Sequence, residues 1–566
     1  MVSSILNITG KRSIDIMIQL SPLILLPIIT YLFQSVMTLK VDEEYNRPQF
    51  HLTPEKGWMN DPNGLWYDRK DKIWHAYYQH LPNQTTHGPV INWGHSTSKD
   101  LMKWDVHDDA LFPDNKTGHG IFSGAVVIDR NNTSGFFNDS LDPEHRIVAL
   151  YTLNTPTSET QELAYSLDGG YSFIKYDKNP VIDVDTPQQR DPKVLWHEET
   201  QKWVMLVAKT QEYKVEFWSS SNLKEWELIS NFTGGVLGFQ YECPGLFKLP
   251  IENAKEDGPD SKWVLILAIN PGSPIGGSFN QYFIGDFDGK TFTPDDHATR
   301  IQDFGKDYYA FQAFDNTEPE DGAIGIAWAS NWQYANLVPT KKWRHSQSLA
   351  RKHTLRYVDV NPETNQLALV QTPVFETKET KADPSLKSWD VINEYDLEDT
   401  VLTSETLVGS DFNSERNSSG VLDFNLTFTV APNATYGLNF GINIDSQIVE
   451  GTKETIQVVF DAQQTTWFID RTTQHNFQRK IPYFQERLSL YHQFASSDAE
   501  KGNTYHVYGI VDRNILELYF NNGEITSTNT FFFSQNKIPS SISIATDTDE
   551  EIFTLDSLVI RELGLK

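Results

Sequence analysis

The feature that most constrains this chain is the recurrence, from Asn46 onward, of short strand-like runs separated by turn clusters. Ile73–Gln79, Ile147–Leu153, Trp203–Lys209, Trp263–Ile269 and Ile324–Ala329 are each four to eight residues rich in Val, Ile, Trp, Tyr or Ala. Asn, Asp, Gly or Pro bound every one of them, which is the pattern of strands closed by turns. Helical periodicity is almost absent. Parallel βαβ folding would require helices between the strands, so an all-β fold is expected.

A weak repeat sharpens this. Ser98-Lys-Asp-Leu-Met-Lys-Trp104 resembles Ser220-Ser-Asn-Leu-Lys-Glu-Trp226, and Ser166-Leu-Asp-Gly-Gly-Tyr-Ser-Phe173 is a looser relative. Each sets a small polar turn before a large aromatic, as in a hairpin corner. The irregular spacing, on the order of 50–70 residues, suits propeller blades better than a solenoid. We therefore expect a β-propeller domain over residues 47–360. Charged and polar residues dominate 361–410, which reads as a linker region. From 411 to 566, Gly420–Val430, Ile456–Asp461, Thr466–Asp470, Thr504–Val511, Ile515–Phe520 and Ser541–Ala545 alternate like antiparallel sandwich strands.

Charge and cysteine content exclude several functions. Asp plus Glu outnumber Lys plus Arg by 76 to 47, and the resulting charge of −29 repels polyanions, so no nucleic-acid partner is expected. Cys243 is the single cysteine, which rules out an intramolecular disulfide and a cysteine-based zinc site. Residues 1–40 read as a signal peptide or a retained signal anchor: Ile16 to Leu39 carries no charge, and its most apolar part, Pro22–Phe33, has h-region length. Asn-x-Ser/Thr occurs downstream at Asn83, Asn115, Asn131, Asn132, Asn138, Asn231, Asn417, Asn425 and Asn433. Together these point to a secreted, extracellular or cell-wall-associated glycoprotein carrying N-glycans.

Three segments carry candidate chemistry. In Trp58-Met-Asn-Asp-Pro-Asn-Gly64 a carboxylate, Asp61, lies between two asparagines and before a proline. Taken alone this is turn chemistry. In Gln188-Gln-Arg-Asp-Pro-Lys193, Arg190 adjoins Asp191, and an adjacent cation keeps a carboxylate ionised, although such pairs are also common structural ties. In Gln240-Tyr-Glu-Cys-Pro-Gly245, Glu242 sits among Tyr, Cys and Pro, an apolar setting that would raise its pKa as a general acid requires; the plainer reading is a surface Glu at a strand end. Glycoside cleavage needs one carboxylate to attack and another to protonate the leaving oxygen, and propeller blades can bring distant strands to one pocket.

With these residues in view, the chain resembles the β-fructofuranosidases of glycoside hydrolase family 32, of yeast-invertase type. The motifs are WMNDPNG at 58–64, FSG at 122–124, RDP at 190–192, ECPG at 242–245 and WASNW at 328–332, and the match runs from about Arg47 to the C-terminus. The resemblance implies a five-bladed β-propeller catalytic domain followed by a β-sandwich, hydrolysing terminal β-fructofuranosides such as sucrose and fructo-oligosaccharides with fructosyl transfer as a side activity. The alternatives are a fructan-preferring exo-hydrolase, a predominantly transferring enzyme, or a catalytically weak carbohydrate-binding propeller. It implies Asp61 as nucleophile, Glu242 as acid/base and Asp191 as transition-state stabiliser. Asn60, Gln79, Trp93, Phe122, Ser123 and Arg190 would line the fructose subsite, with Trp58 and Trp332 as aromatic walls. No metal or organic cofactor is expected, and a homodimer or higher oligomer is. The chain departs from the family pattern at Leu81, His87, Pro89 and Asn92, and Gln189 stands where Phe is frequent. These changes bear on the acceptor side of the pocket and leave the three acids in place.

Overall fold

A computed structural model describes residues 44–566, except 115–117, 319–321, 362–363, 375–386, 413–417, 433, 435–438, 472–480, 482–483, 485–486, 492–493 and 535. The leader at 1–40 and the sequons at Asn115, Asn417 and Asn433 lie outside the described residues. Strands of the described chain form seven sheets. Five of them are blades of a propeller and two form a sandwich.

Each blade is an antiparallel meander whose first strand is innermost. Those first strands are Gly57–Asp68, Gly120–Ile128, Gln189–His197, Tyr241–Pro250 and Tyr309–Ala313. They pack side by side in cyclic order, and the fifth returns to the first. Ring closure is reinforced late in the chain: Trp343–Arg344 pairs in parallel with Gly57–Trp58, and Asp315 bridges Trp66. The second strands, such as Ile147–Asn154 and Ser261–Ile269, are continuous apolar runs because both their faces are covered by neighbouring blades. Their extents contain four of the five runs expected from sequence, and the fifth, Ile324–Ala329, outruns its strand by Ala329.

The weak repeat is a real blade feature. Ser98, Ser166 and Ser220 each close the third strand of a blade, and their hydroxyls accept backbone N–H bonds from the following turn. Leu101 and Leu223 hold equivalent left-handed conformations with φ of 63° and 64°. Asp288 makes the same kind of corner in the fourth blade, accepting from Lys290 and Thr291 N, although its sequence carries no Ser-x-x-Leu signature.

Most of the 361–410 stretch expected as a linker is paired strand. Thr364–Pro373 is the outermost strand of the fifth blade, and Trp389–Leu402 runs along Phe553–Leu565 at a sandwich edge. That edge strand exposes its charged residues to solvent, so its composition looks like a linker while its backbone pairs along its length with one neighbour. The sandwich core is built by alternation: Thr455–Asp461 and Thr466–Asp470 bury every second residue, placing Ile456, Val458, Phe460, Trp467 and Ile469 inside.

A buried ionic cluster fastens the propeller to the sandwich. Arg351 of the fifth blade donates to Asp303 at 2.7 Å and to Glu517 of the sandwich at 2.8 Å. His51 lies between Asp512 (2.8 Å) and Glu517 (3.3 Å). Asp307 likewise accepts from Arg471 at 2.8 Å and from Thr530 N at 2.8 Å. Every one of these side chains is buried.

Candidate active site

The inner strands do not run straight. The pairing of each with its second strand slips near one end: between Met59 and Pro62 (with a second slip between Asn63 and Trp66), Ile121 and Gly124, Arg190 and Lys193, Glu242 and Gly245, and Tyr309 and Gln312. Such bulges turn side chains that would face a neighbouring strand toward a new direction. In three strands the bulge includes a non-glycine residue in the left-handed region: Asp191 (φ 65°), Cys243 (φ 44°) and Ala310 (φ 53°). Backbone strain concentrated at one level of the ring marks a built site. The bulges carry Asp61, Ser123, Asp191, Glu242 or its neighbour, and Tyr309.

These residues meet. Asp61 Oδ2 accepts from Ser123 Oγ at 3.1 Å and from the Cys243 thiol at 3.6 Å, while Oδ1 accepts from Asn60 Nδ2 at 3.1 Å. Asn60 is itself oriented by Trp58 Nε1 at 2.7 Å. Asp191 Oδ2 accepts from Cys243 N at 3.0 Å and from the same thiol at 3.6 Å, so Cys243 stands between two carboxylates. On Glu242, Oε1 accepts from Arg190 Nη2 (2.8 Å) and Gln240 Nε2 (3.0 Å), and Oε2 accepts from Tyr309 Oη at 2.5 Å.

Two expectations about local environment need correction. Glu242 does not sit in an apolar nest of its sequence neighbours: the Tyr241 hydroxyl points away to Gly234 O, and hydrogen-bond donors surround the carboxylate instead. Arg190 is not the hydrogen-bond partner of Asp191 either. Its side chain turns from the bulge toward Glu242 and Glu159, while Asp191 turns toward Cys243. Adjacent residues at a bulge part company, which sequence adjacency cannot show.

The electrostatic outcome is an excess of buried negative charge. Burial and the nearby Glu242 push Asp61 up from 3.8 to about 6, against the lowering effect of its Asn60, Ser123 and Cys243 donors. Asp191 is also pushed up, by burial and by Glu242 and Asp61, with Arg190 opposing. Burial raises the Cys243 thiol well above its usual range, and the three acids add to this, so it stays a protonated donor.

The remaining expected residues divide into two groups. Ser123, Asn60 and Arg190 touch the acids directly. Gln79 Nε2 donates to Ile121 O at 3.1 Å, and Trp93 Nε1 donates to Phe122 O at 3.0 Å, so both brace the bulged Phe122–Ser123 pair. Asn63, turned so that its oxygen accepts from Gln79 Nε2 at 2.9 Å, donates to Ser123 Oγ at 3.2 Å. Trp58 has no exposed surface and is not itself a wall; it backs the half-buried Trp332, whose ring stacks on it at 6.0 Å. His87 meets both indoles edge-on, at 5.8 and 5.0 Å. Leu81 is buried in the apolar cluster beneath them with Tyr309 and Trp328. Asn92 faces away, donating to Asp109 at 2.8 Å.

Tyr309, Gln240, Cys243 and Asn63 also belong to the site, although no sequence signal marks them as functional on their own. Cys243 and Gln240 flank Glu242 and so have a positional signal, whereas Tyr309 is brought in by the fifth blade with none. Among the described residues, Asp68, Asp71 and His145 could hold a cation. They lie at the opposite end of the first inner strand from the acids, and Asp68 is already engaged by Lys70 N, Asp71 N and His145.

Comparison with known proteins gives the same picture. The profile of the glycosyl hydrolases family 32 N-terminal domain matches residues 51–373, and that of the family 32 C-terminal domain matches 394–560. An invertase of Wickerhamomyces anomalus is 60% identical over 556 residues, spanning 97% of this chain and 100% of its own. An extracellular exo-inulinase of Meyerozyma guilliermondii is 45% identical, over 94% of this chain and 98% of its own. Among solved structures, a fructofuranosidase of Schwanniomyces occidentalis complexed with fructosylnystose superposes with a TM-score of 0.86 at 50% identity, covering 92% of this chain and 98% of that one.

Proposed function

The chain belongs to glycosyl hydrolase family 32, and from that membership and the acid pocket we propose that it is a retaining β-fructofuranosidase that hydrolyses sucrose. The observation that carries the proposal is the convergence of Asp61, Asp191 and Glu242 from three inner strands, two of them sharing the Cys243 thiol and the third ringed by donors.

Asp61 in its ionised form attacks C2 of the fructosyl unit. Glu242 gives its proton to the glycosidic oxygen as the C2–O bond breaks, leaving a fructosyl ester on Asp61. Water then attacks C2, Glu242 takes up its proton, and Asp61 leaves as carboxylate, so configuration is retained. Asp191, held by the Cys243 N–H, is placed to accept from fructosyl hydroxyls and to oppose the positive charge that develops at C2. Asn60 and Ser123 fix the attacking carboxylate, Gln79, Trp93 and Phe122 frame that corner, and Trp332 presents the exposed aromatic face of the rim.

Fructosyl transfer to sugar acceptors accompanies hydrolysis in this reading, and it applies equally to fructo-oligosaccharides as donors. Two relatives favour breadth toward longer fructosides: the exo-inulinase already described, and the Schwanniomyces structure whose ligand is fructosylnystose. Export and N-glycosylation are proposed on the exposed sequons Asn83, Asn131, Asn138, Asn231 and Asn425 and on relatives described as extracellular. Homodimerisation is proposed on family resemblance. Incubation with sucrose, raffinose and inulin, with glucose, fructose and transfer products quantified, tests the reading. Absence of fructose release from all three would overturn it.

A further inference from the structure

The strand Glu159–Ser166 is the third of its blade, one removed from the ring of inner strands, yet its first residue reaches the acid pocket. Glu159 is buried, and its carboxylate receives Arg190 Nη1 at 3.2 and 3.3 Å. The other edge of the same guanidinium serves Glu242, through Nε at 3.2 Å and Nη2 at 2.8 Å. One cation is therefore shared between two carboxylates on opposite edges. The same region steadies the rest of the bulge: Thr152 Oγ1 accepts Asp191 N at 3.1 Å and donates to Gln161, which holds Gln189 O.

A surface pair of this kind would contribute little, but this one is nearly dry. Burial and the nearby Glu242 raise the Glu159 carboxyl while Arg190 lowers it. We propose that Glu159 is a positioning residue for glycoside cleavage: by holding one edge of Arg190 it both aims the guanidinium at Glu242 and limits how far that positive charge stabilises the Glu242 carboxylate. The consequence is chemical. Glu242 must carry a proton to cleave sucrose, and an Arg190 relieved of the Glu159 charge, with Asp191 left as its other acidic neighbour, would favour the Glu242 carboxylate more strongly. The other charged or titratable groups facing Glu242 are Asp61, Asp191, Cys243, Tyr309 and His87, and none of them touches Arg190 by hydrogen bond. This inference rests on Glu242 being the acid/base.

The test is the pH profile of kcat/KM for sucrose in wild type, Glu159→Gln and Glu159→Asp. Glu159→Gln keeps an acceptor for Arg190 and removes the charge, so the alkaline limb should move down by roughly half to one pH unit. Glu159→Asp, which keeps the charge one methylene further away, should shift it less, and it decides the matter alone if the Gln variant does not fold. A limb unmoved in the folded variants, with only kcat or thermal stability lowered, overturns the proposal and leaves Glu159 structural. The assay is repeated with an activated fructosyl donor in Glu242→Gln. If that variant loses both donors equally, the acid/base reading itself fails; if it spares the activated donor while Glu159→Gln leaves the limb in place, only the present inference fails.

Discussion

The funnel and the propeller–sandwich junction both bury carboxylates, and they treat them in opposite ways. At the junction each acid has a full cationic or N–H partner set: Glu517 is held down to about 2 against burial, by Arg351 and His51. Asp512 is likewise lowered by His51 and the backbone N–H groups of Gln49 and Phe50. In the funnel, one arginine faces Glu242 and Glu159, while Asp61 and Asp191 keep only neutral donors, and both are raised. The junction acids are the more deeply buried, with side chains at 0–1% exposure against 14% for Glu242, but the larger difference is balance. Charge balance makes a buried cluster a fastener, whereas imbalance makes it reactive, because a carboxylate held uncomfortably is one that a fructosyl cation relieves.

Neutralising one member of each cluster puts this contrast to its hardest test. Asp61→Asn should cut sucrose turnover by roughly four to six powers of ten, as loss of a nucleophile does elsewhere. Its unfolding temperature should be no lower than wild type, since a strained buried charge is gone. An Asp61→Asn protein that unfolds earlier would mean the funnel acids are fasteners too. Arg351→Met is the converse: it should cost about 3–5 kcal/mol by leaving Asp303 and Glu517 uncompensated, with kcat of the folded fraction unchanged. Denaturant unfolding alongside activity per folded molecule reads both.

Acid and base separate the two regions again. Below about 6, kcat/KM should fall about tenfold per pH unit as Asp61 takes up its proton. The folded state binds that proton more tightly than the unfolded chain, so Asp61 favours folding at low pH and loses that contribution as pH rises through about 6. The junction behaves otherwise. Glu517, lowered from 4.5 to about 2, stabilises above 4.5 and loses this as pH falls through 2. His51 is raised from 6.5 to about 9, burial being outweighed by Asp512 and Glu517, so its contribution is complete below 6.5 and lost as pH rises through 9. The stability gap between wild type and Glu517→Gln should therefore be widest between 4.5 and 6.5. A gap that does not change with pH would show that hydrogen bonds, not charge, make the junction.

Smaller effects probe the donors. Ser123→Ala removes one of the bonds that hold Asp61 ionised, so sucrose kcat/KM should drop about tenfold and the acid limb should move up by about half a unit. The mildest change is at the rim. His87→Trp would enlarge the aromatic face beside Trp332 and should alter the ratio of transfer product to free fructose about two- to threefold at matched sucrose conversion. Leu81 is not a useful partner in that experiment, since an amide there would be buried among Trp58, Tyr309 and Trp328.

Sequence carried much of this. Strand runs such as Thr466–Asp470 and Ile515–Phe520 appear with their expected ends, because alternation and turn residues fix them locally. The edge strand Trp389–Leu402 is not legible in the sequence, since its acidic residues and its exposed Val391, Ile392 and Val401 break any apolar alternation. The acids are legible as motifs, but their environments are not. Bulges separate Arg190 from Asp191 and Glu242 from Tyr241, and blade order alone delivers Tyr309 and Glu159 to the pocket. Asn92, expected at the rim, instead ties Asp109, a matter of which strand face it occupies.

The parallel pairing of Trp343–Arg344 with Gly57–Trp58 has a consequence for how the protein is made. A chain emerging from the ribosome presents the strand of Asp61 first and the segments that close the ring around it much later, with His51 waiting longer still for Asp512 and Glu517. Blades two to four can fold as they appear, whereas the first blade keeps an unpaired edge until its partner arrives. During that interval the future acid pocket is open to water, and its carboxylates are brought into burial only once the segments at 309–344 have been made.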